Sequence, residues 1–117
     1  MQNYKELKVW EKAHHFTLKV YEYSKTFPKE ETFSLIPQLR RAAVAIPANI
    51  AEGCGKSPSP DLAKYLNIAL GLANETEYYL ILSKDLYYLQ QEIYDVLQKL
   101  INEIKAMLIS LIQKVKA

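Results

Sequence analysis

QLRRAAVAIPANIAEGCGK, residues Gln38 to Lys56, is the stretch whose reading decides the fold. Leu39, Ala43, Ile46 and Ile50 recur at the spacing of one helical face. Ala42, Val44, Ala45, Ala48 and Ala51 fill most of the remaining circumference with small apolar side chains. A helix apolar nearly all round has to be covered on more than one side. One cover is the chain's own bundle, and the other is expected from a second subunit. Polar residues sit mainly at the ends and at a few interior points: Arg40 and Arg41, then Asn49 and Glu52, then Lys56. Pro47 removes one backbone hydrogen bond and crowds the carbonyl of Ala43, at a cost of ~3 kcal/mol. A kink or break is therefore expected near Val44 to Ile46. Gly53 and Gly55 are expected to take the left-handed backbone that closes the helix.

Working outward, Val9, Ala13, Phe16, Val20 and Tyr23 form a second stripe, which predicts a helix from about Glu6 to Lys25. Phe27-Pro28 ends it, because a residue before proline is pushed out of the α region. Lys29 to Ile36 reads as a connector with one helical turn through Glu30 and Glu31. Pro37 suits the first turn of the second helix, predicted over Pro37 to Glu52. After the polar KSPSP loop, Ser59 is expected to cap a third helix, from Pro60 to about Lys84. Its stripe is Leu62, Leu66, Ala69, Ala73, Thr76 and Leu80. Gly71 costs ~1 kcal/mol against alanine there, which suggests a close helix approach. All three glycines and five prolines precede Leu72. An unbroken helix from Pro60 to the end would run to about 55 residues, far beyond the usual length, so the chain must reverse within Asp85 to Gln91. A fourth helix, about Gln91 to Lys114, would bury Ile93, Val96 or Leu97, Leu100, Ile104, Met107 or Leu108, and Leu111. Four helices of roughly 25 to 35 Å with short connectors make an all-α, up-down-up-down four-helix bundle, one domain over residues 1–117.

The net charge of +2 is small, but it is unevenly spread. From Tyr65 to Gln98 only Lys84 opposes Glu75, Glu77, Asp85, Glu92 and Asp95. From Lys99 onward Lys99, Lys105, Lys114 and Lys116 face only Glu103. An acidic zone and separate basic ones follow. The lone Cys54 excludes an internal disulfide and suits a reducing cytoplasm. The opening MQNYKELKVWEKAHH is amphipathic and charged, unlike a secretory leader, and no apolar run reaches membrane-spanning length.

Catalytic and metal chemistry find little purchase. Gly55-Lys56-Ser57 imitates the end of a phosphate-binding loop, but Ile50 stands where that pattern needs glycine, and a helix precedes it. His14 and His15 point about 100° apart on a helix. Glu11 lies three before His14, yet a bundle di-metal site needs a second Glu-x-x-His motif, which is missing. No cofactor, metal or catalytic set is therefore expected. Tyr78-Tyr79 and Tyr87-Tyr88 could stack bases or line bundle ends and subunit contacts; the acidic surroundings favour the latter. Arg40 and Arg41, the only arginines, either pair with acids such as Glu52 or Glu75 or contribute to a phosphate-binding face.

The chain resembles the four-helix bundle family of proteins encoded in intervening sequences of bacterial 23S rRNA genes. The resemblance is carried by LKVWEKA at Leu7 to Ala13, VYEYSKTFPKEE at Val20 to Glu31, QLRRAAVAIPANIAEGCGK at Gln38 to Lys56, YLNIALG at Tyr65 to Gly71, and IKAMLISLI near the end. Ala45 stands where the family usually has serine, Lys56 where it usually has arginine, and Leu72 where a serine often follows the glycine. The resemblance implies a homopentamer. It extends to the accessory variability protein of diversity-generating retroelements, a pentameric barrel that binds nucleic acid and a reverse transcriptase. Two functions are then in view. One is a non-enzymatic ring that binds RNA or DNA, with Arg40, Arg41, Lys56 and Lys64 as phosphate contacts multiplied around it. The other is a protein–protein adaptor working through the acidic, tyrosine-rich middle, its partner a reverse transcriptase or some other protein.

Overall fold

A computed structural model describes residues 3–56 and 59–116. Four helices run α1 (Lys8–Ser24), α2 (Leu35–Cys54), α3 (Ser59–Asp85) and α4 (Gln91–Lys116), with single 3-10 turns at Tyr4–Glu6 and Lys29–Glu31. Consecutive helices are antiparallel, and α4 returns to pack on α1, closing an up-down-up-down bundle of 44 × 24 × 20 Å. The turn at Lys29–Glu31 is the one expected in the connector. The capping role expected of the Ser59 side chain falls outside the described residues.

The expected stripes of α1 and α3 face the core. Val9, Ala13, Phe16 and Val20 are buried, as are Leu62, Leu66, Ala69, Ala73, Thr76 and Leu80. In α4 the buried line is Leu97, Ile101, Ile104, Leu108 and Ile112. Ile93, Leu100, Met107 and Leu111 flank it half-buried, and Val96 faces solvent at 45 % exposure. Leu97, Ile104 and Leu108 thus lie on the expected line, while Ile101 and Ile112 take the buried places expected of Leu100 and Leu111.

Helix α2 carries Pro47 without interruption from Leu35 to Cys54. Of the kink or break expected near Val44 to Ile46, the break does not occur, and the carbonyl that proline leaves without a donor is served from α1. Proline offers no N–H to the carbonyl of Ala43. The Thr17 hydroxyl donates to that carbonyl instead, at 3.1 Å, sharing its proton with the Ala13 carbonyl at 2.8 Å. A buried acceptor that would otherwise be unpaired is satisfied from the neighbouring helix.

The glycines also differ from expectation. None has positive φ, so neither Gly53 nor Gly55 closes α2 by a left-handed turn. Gly55 sits at φ −82°, and its N–H reaches back to the Ala51 and Glu52 carbonyls. Gly53 is where helices approach: a Cβ there would lie 2.8 Å from Tyr65 Cβ and 3.2 Å from Leu62 Cδ1. Gly71, expected at a close approach, meets nothing within 4 Å. Within one protomer its outer side is open.

The reversal after α3 uses a tyrosine where glycine is usual. Tyr87 has φ 66°, the one positive φ among described non-glycine residues. Its N–H bonds the Lys84 carbonyl, and the Tyr88 N–H bonds the Ser83 carbonyl at 2.8 Å. That is the Schellman closure, with Tyr87 in the left-handed position at a cost of ~1–2 kcal/mol.

Candidate functional site

The antiparallel order gives the bundle two unlike ends. At one end α1 and α3 begin while α2 and α4 finish. It carries Lys5, Lys8, Lys56, Lys64, Lys114 and Lys116 against Glu6, Glu11, Glu52 and Asp61. The opposite end carries Glu22, Glu30, Glu31, Asp85, Glu92 and Asp95 against Lys25, Lys29 and Lys84. Lys84 lies 3.9 Å from Asp85 and 4.6 Å from the Tyr94 ring centroid, so its charge is shared locally.

The four basic residues singled out above fall into two groups. Lys56 and Lys64 are exposed at the lysine-rich end, with Lys56 Nζ 5.8 Å from the Tyr65 ring centroid. Arg40 and Arg41 lie about 20 Å away along α2, at 1.5 Å per residue. Arg40 is half-buried: its Nε donates to Ser24 Oγ at 2.8 Å, and its guanidinium lies 4.7 Å from the Tyr21 ring centroid. It braces α1 against α2. Arg41 is exposed and, among the described residues, forms no salt bridge to Glu52 or Glu75. It lies near Tyr79, whose hydroxyl donates to Glu75 at 2.7 Å. That hydrogen bond, chiefly, holds the Tyr79 phenol above its ordinary pKa.

The outer side of α2 bears Arg41, Val44, Ala48 and Glu52, all exposed, with Ala45 and Ala51 half-buried. Val44 is 39 % exposed, with Ala45, Ala48 and Ala51 beside or beyond it and the charged Arg41 and Glu52 at the two ends of the strip. Leu18 and Tyr21 of α1 are exposed on the adjoining helix.

The tyrosine pairs divide. Tyr78 is exposed while Tyr79 is tied to Glu75. Tyr87 stands in solvent, whereas Tyr88 packs 5.4 Å from Phe27 and donates to Glu31 Oε2 at 2.9 Å. Glu31 also accepts the Leu35 N–H at 3.2 Å through its other oxygen, capping α2 with a carboxylate. Sequence reading missed Glu31, Thr17 and the Schellman tyrosine. An acidic residue four positions before the first apolar residue of α2 was the available signal for Glu31.

His14 stacks on Trp10 at 5.2 Å, with the rings 5° apart. No group of three or more His, Cys, Asp or Glu side chains among the described residues is placed to hold a metal. Cys54 is buried, and burial pushes its thiol pKa up, away from a reactive thiolate. No described helix is long and apolar enough to cross a membrane.

Fold and surface together define an all-α antiparallel bundle with a lysine-rich end, an acidic end and an apolar outer strip on its proline-bearing helix. Over residues 5–110 the chain matches the family described as 23S rRNA-intervening sequence protein, and it belongs to that family. It is also similar to a crystal structure of a protein of unknown function, from the S23 ribosomal protein family, of Bacteroides thetaiotaomicron VPI-5482. The TM-score is 0.82 at 33 % identity, covering 90 % of this chain and 95 % of that one. No curated protein gives a significant match.

Proposed function

We propose that the chain is a non-catalytic, self-associating bundle that binds RNA or DNA in a reducing cytoplasm. The observation that carries this reading is the gathering of Lys5, Lys8, Lys56, Lys64, Lys114 and Lys116 at one end. Lysine ammonium groups are compact charges suited to phosphate without sequence readout. A ring multiplies each weak contact, so copies acting together bind far more tightly than one. Arg41 is a separate exposed charge about 20 Å along α2 and belongs with the apolar strip rather than with the lysine-rich end. Arg40 acts mainly through the brace it makes with Ser24 and Tyr21.

The outer strip of α2 serves as the seam between copies. Support comes from exposed Val44 and Ala48 beside an Arg41 and a Glu52 that lack salt-bridge partners among the described residues. Five copies is the number the family resemblance implies. A Val44→Glu variant should sediment as a protomer while the wild type sediments as the ring. A wild type that is monomeric, or an unaltered mass in the variant, removes the seam.

The nucleic-acid reading is tested by fluorescence polarisation with labelled structured RNA and duplex DNA over a salt series. The logarithm of affinity should fall linearly with that of salt. Lys56→Glu with Lys64→Glu should lower the slope by roughly 0.9 per lost contact. Binding that is flat in salt, or unchanged in the double variant, refutes the reading.

A further inference from the structure

Two large aromatic side chains at the acidic end stand almost wholly in solvent, Phe33 at 97 % and Tyr87 at 93 % exposure. Neither ring is needed by the fold. Tyr87 occupies a left-handed backbone position that glycine fills without penalty. Leu86 beside it is 43 % exposed. Yet the two loops that carry these rings are braced. Glu31, two residues before Phe33, caps α2 with one oxygen, and with the other it holds Tyr88, the residue after Tyr87. Phe27 packs beneath Tyr88. The rings are presented from a fixed base, and Tyr87 lines a hollow of about 650 Å³ with Lys84, Asp85, Leu89, Gln90 and Gln91. Lys84 lies 3.9 Å from Asp85 and 4.6 Å from the Tyr94 ring centroid, which absorb its charge. Asp85 is exposed at the wall of the hollow, and Glu30 and Glu92 are exposed at the same end of the bundle.

We infer that this end is a docking surface for a segment of another protein rich in lysine or arginine. Aromatic faces attract cations, and arginine most often. The carboxylates complement the same charge and would steer its approach. Large aromatic anchors are the residue type that dominates binding energy at protein interfaces. A nucleic acid is the poorer occupant, since its phosphates would meet Glu30, Asp85 and Glu92. The inference is independent of the nucleic-acid reading, which uses the opposite end.

The test is a display library of short random peptides selected on the intact wild-type protein. Selected peptides should be enriched in arginine or lysine. A Phe33→Ser, Tyr87→Gly variant should bind them at least roughly tenfold more weakly, and Lys56→Glu with Lys64→Glu should leave them unaffected. Thermal melting confirms that the ring-deleted variant folds. The inference is overturned if selection yields no basic peptides or if the peptides bind the ring-deleted variant equally. It also falls if deleting the rings lowers the mass of the assembly, which makes the surface a contact between copies. Loss of RNA affinity on ring deletion likewise overturns it, by assigning the rings to the nucleic acid.

Discussion

Replacing Thr17 by valine keeps the shape of the side chain and deletes its hydroxyl. In the native protein that hydroxyl serves the Ala43 carbonyl, which proline at position 47 has left without its helical donor. The variant therefore strands a buried acceptor, at a cost of about 1–3 kcal/mol. The lower half of that range applies, because the hydroxyl divides its proton between Ala43 and Ala13. Restoring an N–H with Pro47→Ala rebuilds the intrahelical bond and makes the hydroxyl redundant. Thr17→Val should then cost well under 1 kcal/mol in that background, giving a coupling of about 1 kcal/mol between two residues on different helices. Urea unfolding of all four proteins, at one fixed protomer concentration because assembly adds to stability, reads the cycle. Equal cost of Thr17→Val with and without the proline would refute the compensation. The uninterrupted course of α2 would then need another cause.

Other outcomes follow from the same geometry. Tyr87→Gly should raise unfolding stability by roughly 1 kcal/mol by relieving the left-handed backbone, read as a higher urea midpoint. Gly53→Ala should cost about 1–3 kcal/mol, since its new methyl would sit 2.8 Å from Tyr65 Cβ. Gly71→Ala, with open space around it, should instead stabilise the protomer by ~1 kcal/mol. Glu77 accepts hydrogen bonds from Lys105 and Gln98, and the Lys105 bond chiefly holds its carboxyl below the ordinary glutamate pKa. Its stabilising effect is therefore present above the ordinary glutamate pKa and is lost as pH falls through the lowered value. Glu77→Gln should flatten that part of the acid limb in a stability–pH profile.

How far the fold could be read from residues differs by element. The stripes of α1 and α3 were legible because each keeps an unbroken run of apolar or small residues at three- and four-residue steps, although Leu70, Leu72, Tyr79 and Leu82 add a second, half-buried face to α3. In α4, Val96 stands beside Leu97 and Met107 beside Leu108, so two adjacent faces were almost equally apolar. Which one turns inward depends on the other helices. The reversal within Asp85 to Gln91 was legible from the length of the segment, but its left-handed residue was not, because a left-handed tyrosine has no local signature. The continuity of α2 was invisible because its missing bond is supplied from residue 17, thirty positions before the proline. Charge zones could be seen in the sequence, but their sorting to opposite ends emerges only once α2 is folded back beside α1. For the same reason Arg40 and Lys56 looked like members of one surface, although the helix separates them and α1 claims Arg40.

A bundle 44 Å long with ammonium groups at one tip and carboxylates at the other is a permanent electric dipole. A polyanion would turn it lysine tip first before any contact forms. Copies related by a single rotation axis share the same dipole component along that axis, so along it their dipoles add. Copies stacked head to head cancel. Only the former arrangement gives an assembly with two chemically different faces, one for a negative partner and one for a positive partner.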